Sequence, residues 1–246
     1  MRRRFFLEKF DADSATLHGD TAEHLGRVLR AEPGQLYELS DGQSVWLARI
    51  ERVALSKRGD SRVEFVLVEP IAARESSIEI QLLISLVKFD RFEWCLEKAT
   101  ELGAASIVPL AAARTEKPLL VAAEKRRARW ERILIESAQQ ARRLRPPVMA
   151  DVATPAAAFD GCEAACKIVL SERQDAPLMR EALASAAGVR TAALAIGPEG
   201  GWTDEEIAAA RSAGFAEASL GENILRTETA VLASLAVLRF AAEAPR

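Results

Sequence analysis

Two segments near the end of the chain place the strongest limits on its fold. Each begins with a short apolar run typical of a buried strand, Ala192–Ile196 in the first and Ala218–Leu220 in the second. The sequence GPEGG follows the first run, GENILRTET follows the second, and a helical pattern then resumes in both. Loops that follow neighbouring parallel strands meet at one edge of a sheet, so these two loops are predicted to form a pocket.

The first loop combines a glycine-rich backbone with acidic side chains. Its glycines allow the backbone to approach a ligand closely. Thr203 and Glu206 form a predicted capping box at the start of the next helix, and Gly214 is predicted to end that helix. A phosphate-binding loop offers bare amides and often a lysine, whereas this loop carries Glu199 and an acidic helical turn. The pattern favours a neutral or cationic ligand.

The second loop is unusually polar for a connection between two apolar elements. Glu222, Asn223, Arg226 and the run Thr227–Thr229 crowd into it. Polar groups of this kind are stable in a solvated loop or in a functional one. A plain turn does not require Arg226 before a Thr-Glu-Thr helix start, so the functional interpretation is preferred to a turn without a ligand.

The pattern of strands and helices changes near residues 69–74. Before this point, short strands are predicted at 35–40, 44–53 and 62–68, with a turn at 58–60 and a short helix at 21–30. This half is predicted to be a small β-barrel. After residue 75, strands predicted at 78–87, 106–110, 167–171 and 192–196 alternate with helices. The second half is therefore predicted to be an α/β domain with a mostly parallel sheet.

A helix is predicted over Asp90–Leu102, with Asp90 as N-cap, Glu93 at the capping-box position and Gly103 after its end. Its apolar positions recur at helical spacing, which indicates packing rather than a ligand site. Lys88 precedes the helix, where open α/β sheets bind ligands, and could equally be a surface lysine.

Composition excludes several classes of protein. No apolar stretch reaches membrane-spanning length and the basic start lacks a signal-like apolar core, so a cytoplasmic protein without a membrane partner is expected. Cys95, Cys162 and Cys166 lack the spacing of a zinc site, and no metal is predicted. The GxGxxG pattern is also missing, which makes a nicotinamide-dependent oxidoreductase a distant alternative.

Charge gives a local rather than a global indication of RNA binding. The net charge is −3, so the chain as a whole lacks the basic excess of many nucleic-acid-binding proteins. Eight basic residues nevertheless cluster between residues 125 and 145, where a solvated helical face is the alternative interpretation. Arginine in such a cluster can contact phosphates and stack on bases. A second, weaker patch is Arg2-Arg3-Arg4 at the start of the chain.

The two carboxyl-terminal loops resemble the signature of the RsmE family within the SPOUT superfamily of RNA methyltransferases. The resemblance extends over nearly the whole chain, and the order and spacing of its elements are specific. The further matching positions are Met1–Phe6, His24-Leu25, Val28–Arg30, Asp41-Gly42, Lys88–Gly103, Pro109, Arg114, Trp130, Gln140 and Arg143.

Membership of this family implies both an architecture and a reaction. It implies a PUA-like β-barrel domain that binds RNA over residues 1–72 and a SPOUT α/β domain with a trefoil knot over residues 73–246. The implied reaction is methylation of N3 of one uridine in the 16S ribosomal RNA, with S-adenosyl-L-methionine as methyl donor. The implied partners are the assembled small ribosomal subunit and a second copy of the chain.

The same resemblance implies roles for particular residues. Arg226 would stabilise the negative charge of the deprotonated base, and Glu228 or Glu199 would accept its proton, although Glu228 could simply favour the helix start. The implied donor-binding residues are Leu170, Ile196, Gly197, Pro198, Glu199, Gly200, Gly201, Leu220, Gly221, Asn223, Ile224, Leu225, Arg226 and Thr229. The implied RNA-binding residues are Arg2, Arg3, Arg4, Lys88, Arg114, Arg126, Arg129, Arg142 and Arg143.

Asn223 departs from the family pattern, because many members have a basic residue there. Asn223 can still form hydrogen bonds but carries no charge, so the ionic phosphate contact that a basic residue would make is open for this chain. Two alternatives stay open from the sequence: a SPOUT methyltransferase acting on another RNA, and a noncatalytic RNA-binding or ribosome assembly factor. Only the second of these predicts RNA affinity without affinity for the donor.

Overall fold

The computed structural model describes residues 3–56, 60–73, 76–185 and 188–242. The chain divides into two compact units. The first comprises Met1–Glu75 with Ala138–Arg145, and the second comprises Ser76–Ser137 with Pro146–Arg246. Ala138–Arg145 thus belongs to the first unit, although sequence analysis assigned it to the second domain.

The first unit contains a five-stranded sheet with the strand order β1-β3-β4-β5-β2. Strand β1 runs parallel to β3, and the other neighbours are antiparallel. The predicted strands are present with shifted bounds, whereas β1 and β2 escaped prediction because they are short. The strands are β1 (Arg4–Phe6), β2 (Ser14–His18), β3 (Leu36–Ser40), β4 (Val45–Ala54) and β5 (Arg62–Ile71).

The predicted short helix of this unit has two parts. Helix α1 spans Gly19–Glu23, and a π-helical turn spans His24–Val28. Leu25 is buried as expected, but the wider turn leaves Val28 65% exposed, so the predicted apolar face is only partly correct. The predicted turn at 58–60 falls largely outside the described residues.

The second unit contains a six-stranded parallel sheet with the strand order β11-β9-β10-β6-β7-β8. This confirms the prediction of an α/β fold. Its strands are β6 (Glu79–Ser85), β7 (Ala104–Leu110), β8 (Val148–Met149), β9 (Cys166–Leu170), β10 (Thr191–Ile196) and β11 (Ala216–Ala218). Its helices are α2 (Phe89–Glu101), α3 (Lys117–Gln140), α4 (Pro155–Asp160), α5 (Met179–Ala182), α6 (Asp204–Ser212) and α7 (Thr227–Ala242), and a 3₁₀ turn spans Leu183–Ser185.

Helices cover both faces of this sheet. Leu82 and Ile84 of β6 point into one core cluster, and Leu83 points into the other, because successive strand residues face opposite sides. Helices α2 and α7 contribute to the first cluster, and α4 and α6 contribute to the second. The chain therefore passes from one face of the sheet to the other between α6 and α7.

Helix α2 begins earlier than predicted. Its N-cap is Lys88, whose carbonyl accepts a hydrogen bond from the backbone N–H of Phe92. Asp90 therefore lies in the first turn, where its charge favours the helix dipole. The predicted capping box is wrong, since Glu93 instead pairs with Arg126 and Arg129 of α3. Gly103 follows the helix with φ +90°, as predicted for its terminator.

Candidate functional site

A cavity of about 470 Å³ lies where three parallel strands end. Its walls are the loops that follow β9, β10 and β11, together with the starts of α6 and α7 and one residue, Arg114, that follows β7. The carboxyl edge of an open α/β sheet is the usual place for a ligand, and the volume suits a small molecule. The two loops singled out by sequence do meet here.

Most of the predicted donor-binding residues line this one cavity. Gly200 and Thr229 are not among the lining residues; Gly200 packs against the Arg114 side chain, and Thr229 lies exposed within α7. The predicted residues in the lining are Leu170, Ile196, Gly197, Pro198, Glu199, Gly201, Leu220, Gly221, Asn223, Ile224, Leu225 and Arg226.

Sequence analysis missed most of the third wall, the loop after β9. That loop has no glycine cluster and no helix cap beside it, so only the strand residue Leu170 was anticipated. Further lining residues come from the helix starts on either side. The lining residues outside the predicted donor-binding set are Ser171, Glu172, Arg173, Trp202, Asp204, Ile207, Ser219, Glu222, Thr227 and Ala230, of which Glu222 and Thr227 had been noted only as polar residues of the second loop.

The GPEGG loop is a tight turn that requires glycine at two points. The backbone N–H of Gly201 donates to the carbonyl of Pro198 at 2.8 Å, and Gly201 adopts φ +71°, which favours glycine. A Cβ atom at Gly197 would lie 3.0 Å from Cε2 of Trp202. The loop therefore packs against this indole ring without room for a side chain.

Trp202 fastens the first loop to the third wall of the cavity. Its Nε1 donates to the carbonyl of Leu170, at the end of β9, at 2.9 Å. On its other side the ring packs edge-on against Phe159, with centroids 5.8 Å apart. Trp202 therefore has a packing role in the cavity wall.

The predicted capping box at the start of α6 is present. The Thr203 hydroxyl accepts from the N–H of Glu206, and the Glu206 carboxylate accepts from the N–H of Thr203. The second Glu206 oxygen accepts from the N–H of Ala113 at 2.8 Å. The Glu206 side chain thus also ties α6 to the loop after β7, which carries Arg114.

Arg114 lies in the cavity wall, although sequence analysis proposed it as an RNA contact. Its Nη1 donates to the carbonyl of Gly200 at 2.6 Å. The arginine therefore supports the GPEGG loop from the side of β7. Arg114 as a whole is exposed.

The charges around the cavity are mixed rather than purely acidic. Hydrogen bonds from the Glu205 backbone and the Thr203 side chain hold the pKa of Glu205, beside the mouth, below its ordinary value. Three arginines partly balance the acids, and of these only Arg226 was predicted to bind the donor. The lining acids are Glu172, Glu199, Asp204 and Glu222, and the lining arginines are Arg114, Arg173 and Arg226. Such a cavity suits a ligand that carries charges of both signs.

The second loop presents two exposed side chains at the rim of the cavity. Ile224 is 78% exposed, and Arg226 is exposed with no carboxylate partner among the described residues. Thr227, at the start of α7, is buried. The Ser219 hydroxyl accepts from the N–H of Gly221, which shapes the beginning of the loop. Arg226 is therefore available to a bound molecule.

The predicted RNA-binding residues lie in several places. Arg4 is buried: it pairs with Glu38 at 2.9 Å and donates to the carbonyl of Arg142 at 2.6 Å, which gives it a structural role instead. Arg142 also pairs with Glu38, at 3.6 Å. Arg3 is exposed, Arg143 is half-buried, and Arg2 lies outside the described residues.

The remaining predicted RNA-binding residues belong to the second unit. Arg126 and Arg129 share Glu93, and the Arg126 guanidinium lies over the Phe89 ring at 4.7 Å. Arg129 keeps about half of its side chain exposed. Lys88 is exposed at the start of α2. The α3 arginines thus brace α2 as well as presenting positive charge.

Cys95, Cys162 and Cys166 are buried and form no disulfide. Burial and the neighbouring Glu228 carboxylate raise the pKa of Cys95 to about 12, so it remains a thiol. The described residues contain no group of three or more His, Cys, Asp or Glu side chains arranged to hold a metal ion. None of their helices has the length and apolarity that a membrane crossing demands.

Comparison with known proteins agrees with this geometry. Residues 74–239, which include every wall of the cavity, match the model of the RNA methyltransferase domain family. The chain is 34% identical over 228 residues to ribosomal RNA small subunit methyltransferase E of Synechocystis sp., covering 91% of this chain and 72% of that protein. It is 30% identical to the Bacillus subtilis protein of the same name, covering 98% and 97%.

A solved structure shows the same fold. Ribosomal RNA small subunit methyltransferase E from Neisseria gonorrhoeae, bound to S-adenosyl methionine, superposes with a TM-score of 0.84 at 29% identity, covering 98% of both chains. The fold and the cavity are those of an RNA methyltransferase domain. The chain belongs to the ribosomal RNA small subunit methyltransferase E family.

Proposed function

We propose that this protein transfers a methyl group from S-adenosyl-L-methionine to N3 of a uridine in 16S ribosomal RNA. One observation carries the proposal: both polar loops of the family signature line one cavity, in a chain related to small-subunit RNA methyltransferases along almost its full length. The related Neisseria protein was crystallised with S-adenosyl methionine. The choice of N3 and of uridine rests on the resemblance noted in the sequence.

The cavity fits the chemistry of the donor. The donor carries a sulfonium, an ammonium and a carboxylate, and the lining supplies both acids and arginines. Gly197 and Gly201 bring backbone close to the ligand, while Leu170, Ile196 and Leu220 supply apolar surface. Bound there, the donor would supply an electrophilic methyl group. The residues' main contribution is to hold the two reactants in reactive geometry.

Arg226 and a nearby carboxylate are assigned the remaining chemistry. Uridine N3 carries a proton at neutral pH, and its loss places negative charge on the neighbouring carbonyl oxygens. A guanidinium group cannot act as a base at neutral pH, so Arg226 is assigned the stabilisation of that charge. Glu228 or Glu199 accepts the proton, directly or through water. The exposed position of Arg226 at the rim supports its role.

RNA binding is assigned to both units. In the second unit the assigned RNA contacts are Lys88, Arg114, Arg126 and Arg129. Lys88 and Arg129 are exposed, Arg126 is partly exposed and Arg114 lines the cavity, which supports this assignment. In the first unit the remaining assigned residues are Arg2, Arg3, Arg142 and Arg143. The first unit corresponds in this proposal to a PUA-like barrel domain over residues 1–72, and its five-stranded sheet supports that assignment.

The trefoil knot belongs to the same proposal for residues 73–246. It is supported by the strand order, in which β11 pairs with β9 although β10 precedes it in sequence. It is also supported by the passage of the chain between faces from α6 to α7. Threading of the segment after Arg226 through an earlier loop would bring the three walls together.

The proposed assembly is a homodimer that acts in the cytoplasm on the assembled small subunit. Large apolar side chains remain exposed on α2 and α7, including Trp94, Val237 and Phe240. A second copy of the chain would remove this apolar surface from water. Sedimentation of the purified protein measures this directly, and a monomer at micromolar concentration would contradict it.

The reaction is tested by mass spectrometry of 16S ribosomal RNA nucleosides from cells with and without the protein. We expect N3-methyluridine to disappear when the protein is absent and to return when purified protein and donor are added to small subunits. Methylation of another RNA would identify a different substrate. Affinity for RNA without affinity for S-adenosylmethionine would instead identify an assembly factor.

The role of Arg226 is tested by Arg226→Ala. We expect methyl transfer to fall by about 100-fold or more, as for other lost groups that stabilise transition-state charge, while donor affinity is largely retained. Calorimetry with S-adenosylmethionine and single-turnover transfer measure the two quantities separately. Arg211→Ala is the control, because Arg211 lies in the last turn of α6, does not line the cavity and pairs with Glu217 of β11. Normal turnover by Arg226→Ala would reject the assignment.

A further inference from the structure

Arg91, in the first turn of α2, joins two segments that form the donor cavity. Its Nη1 donates to Oε1 of Glu199, within the GPEGG loop. Its Nε lies 3.9 Å from Oε1 of Glu228, in the first turn of α7. Arg91 itself is not among the cavity-lining residues. One guanidinium outside the cavity thus connects two of the elements that shape it.

The environment of Glu228 makes this connection important. Its Oε2 is buried and finds no hydrogen-bond partner in the described part of the chain. Cys95, one turn along α2 from Arg91, faces the same carboxylate; burial and this carboxylate raise its pKa, so it stays a neutral thiol and supplies no counter-charge. A carboxylate that is largely removed from water needs a nearby cation. Arg91 supplies that cation.

Glu199 depends on Arg91 in a different way. The Glu199 side chain is 46% exposed, whereas those of Arg91 and Glu228 are 29% and 21% exposed. The loop around Glu199 is rich in glycine, so its backbone loses much entropy when it is held in one conformation. Without Arg91, the carboxylates of Glu199 and Glu228 would also repel each other across the gap that it fills.

We propose that Arg91 is a positioning residue that holds the GPEGG loop against the start of α7 in the conformation that binds the methyl donor. This inference rests on the proposed function, since it names how the same cavity is kept in shape. Arg91 touches neither reactant in this scheme; it acts through Glu199 and Glu228. The two carboxylates considered as proton acceptors are thereby held by one cation.

The test compares Arg91→Ala, Arg91→Lys and Glu199→Gln in the full-length protein. We expect Arg91→Ala to bind S-adenosylmethionine about fivefold more weakly, the size of effect that a partly exposed ion pair gives. Arg91→Lys, which keeps a charge for Glu199, should regain most of this affinity. Because Glu199 itself lines the cavity, the double variant Arg91→Ala with Glu199→Gln is compared by amide hydrogen exchange: the N–H of Gly201 should exchange no faster than in Arg91→Ala alone, since the same ion pair cannot be lost twice.

Lys98→Ala is the matched control, because Lys98 lies on the same helix and, among the described residues, its ion pairs are with the neighbouring Glu97 and Glu101. It should bind the donor as the parent does. Unchanged donor affinity in Arg91→Ala would overturn the proposal, as would a Gly201 N–H that exchanges clearly faster in the double variant than in Arg91→Ala. If Arg91→Ala does not fold, Glu199→Gln still tests the contact from the side of the loop.

Amide hydrogen exchange without donor separates this proposal from the proposed function. The N–H of Gly201 should exchange faster in Arg91→Ala than in the parent, because the turn that protects it is no longer anchored. If the parent binds no S-adenosylmethionine, the proposed function fails, while faster exchange still supports anchoring by Arg91. If the parent binds the donor and neither exchange nor affinity responds to Arg91→Ala, only the anchoring fails.

Discussion

At the scale of single residues, Gly197 shows how an absent side chain shapes the cavity. Its backbone lies against the Trp202 indole, and that indole is held by the Leu170 carbonyl and by Phe159. The ring therefore cannot retreat without breaking a hydrogen bond or disturbing the core. The fixed Trp202 ring and the Gly197 backbone packed against it therefore determine the depth of the cavity.

Gly197→Ala is expected to weaken binding of S-adenosylmethionine by about tenfold, because a shift of the loop or of Trp202 misplaces the ligand. Calorimetric titration measures the change. Gly161→Ala is the control: its Cβ would lie 3.3 Å from the Ala157 carbonyl, a similar crowding at the end of α4. Equal donor affinity in the Gly197 variant and the parent would show that the Trp202 ring shifts to make room for the added methyl group without disturbing the site.

Arg4→Met is expected to lower the free energy of unfolding by about 3 kcal/mol, because it leaves Glu38 buried with only the more distant Arg142. Arg62→Met is the control, since the Arg62–Glu64 pair is partly exposed and should cost less than about 1 kcal/mol. Urea unfolding measures both values. Similar losses for the two variants would contradict a structural role specific to Arg4.

The sequence is least informative where a side chain meets a distant part of the chain. Thr203 and Glu206 were predicted correctly because both capping partners lie within four residues. Glu93 was not, because its partners come from α3. Arg4 and Arg114 looked like free cations in the sequence, and only the fold places Glu38 and the Gly200 carbonyl beside them.

At the scale of elements, the start of α6 holds the cavity walls together. The Thr203–Glu206 capping box is local, whereas the hydrogen bond from Ala113 to Glu206 reaches the loop after β7. The same loop contacts the GPEGG backbone through Arg114. A helix start therefore links two loops that come from different strands.

Glu206→Ala is expected to cost about 2 kcal/mol of stability and Thr203→Ala about 1 kcal/mol, since the first loses two hydrogen bonds and the second loses one. Glu206→Ala should also weaken donor binding, because the loop that carries Arg114 is released. Chemical denaturation and donor titration measure the two effects. Equal stability losses, with unchanged donor affinity in both variants, would show that the Ala113 contact contributes nothing.

The order of strands and helices was largely predictable from the sequence, whereas the contacts between them were not. Alternating apolar strands and helices indicated the parallel sheet, and its carboxyl edge indicated the site. The loop after β9 was missed because Ser171–Arg173 carry no glycine cluster and no helix-capping pattern, and they reach the cavity through the pairing of β9 with β10 and β11. Pairing between strands that lie far apart in the chain produces no periodic pattern in the sequence.

At the scale of the whole molecule, the first unit is not continuous in sequence. Ala138–Arg145 completes it by hydrogen bonds from Ser40 to the carbonyl of Leu144 and from Arg4 to the carbonyl of Arg142, both at 2.6 Å. Arg142 also takes the left-handed φ of +52° within this segment. Helix α3, which ends at Gln140, therefore begins in one unit and finishes in the other.

A chain that stops at Glu75 is expected to be markedly less stable than the same sheet within the full protein. It retains the five strands but loses the carbonyl acceptors for Arg4 and Ser40, and a buried donor without a partner costs about 1–3 kcal/mol. Circular dichroism and amide NMR dispersion measure this. Joining residues 138–145 to its end through a flexible linker should restore stability, and an equally stable truncated chain would refute the idea.

Because Ala138–Arg145 completes the first unit, this segment also determines when that unit can finish folding during translation. The amino-terminal sheet emerges first, yet the residues that complete it are synthesised only after Ser76–Ser137. The ribosome must therefore translate part of the second unit, Ser76–Ser137, before all residues of the first unit have been synthesised. We expect the early sheet to stay open to solvent and to chaperones during that interval, and to become protease-resistant only once Arg145 has left the exit tunnel.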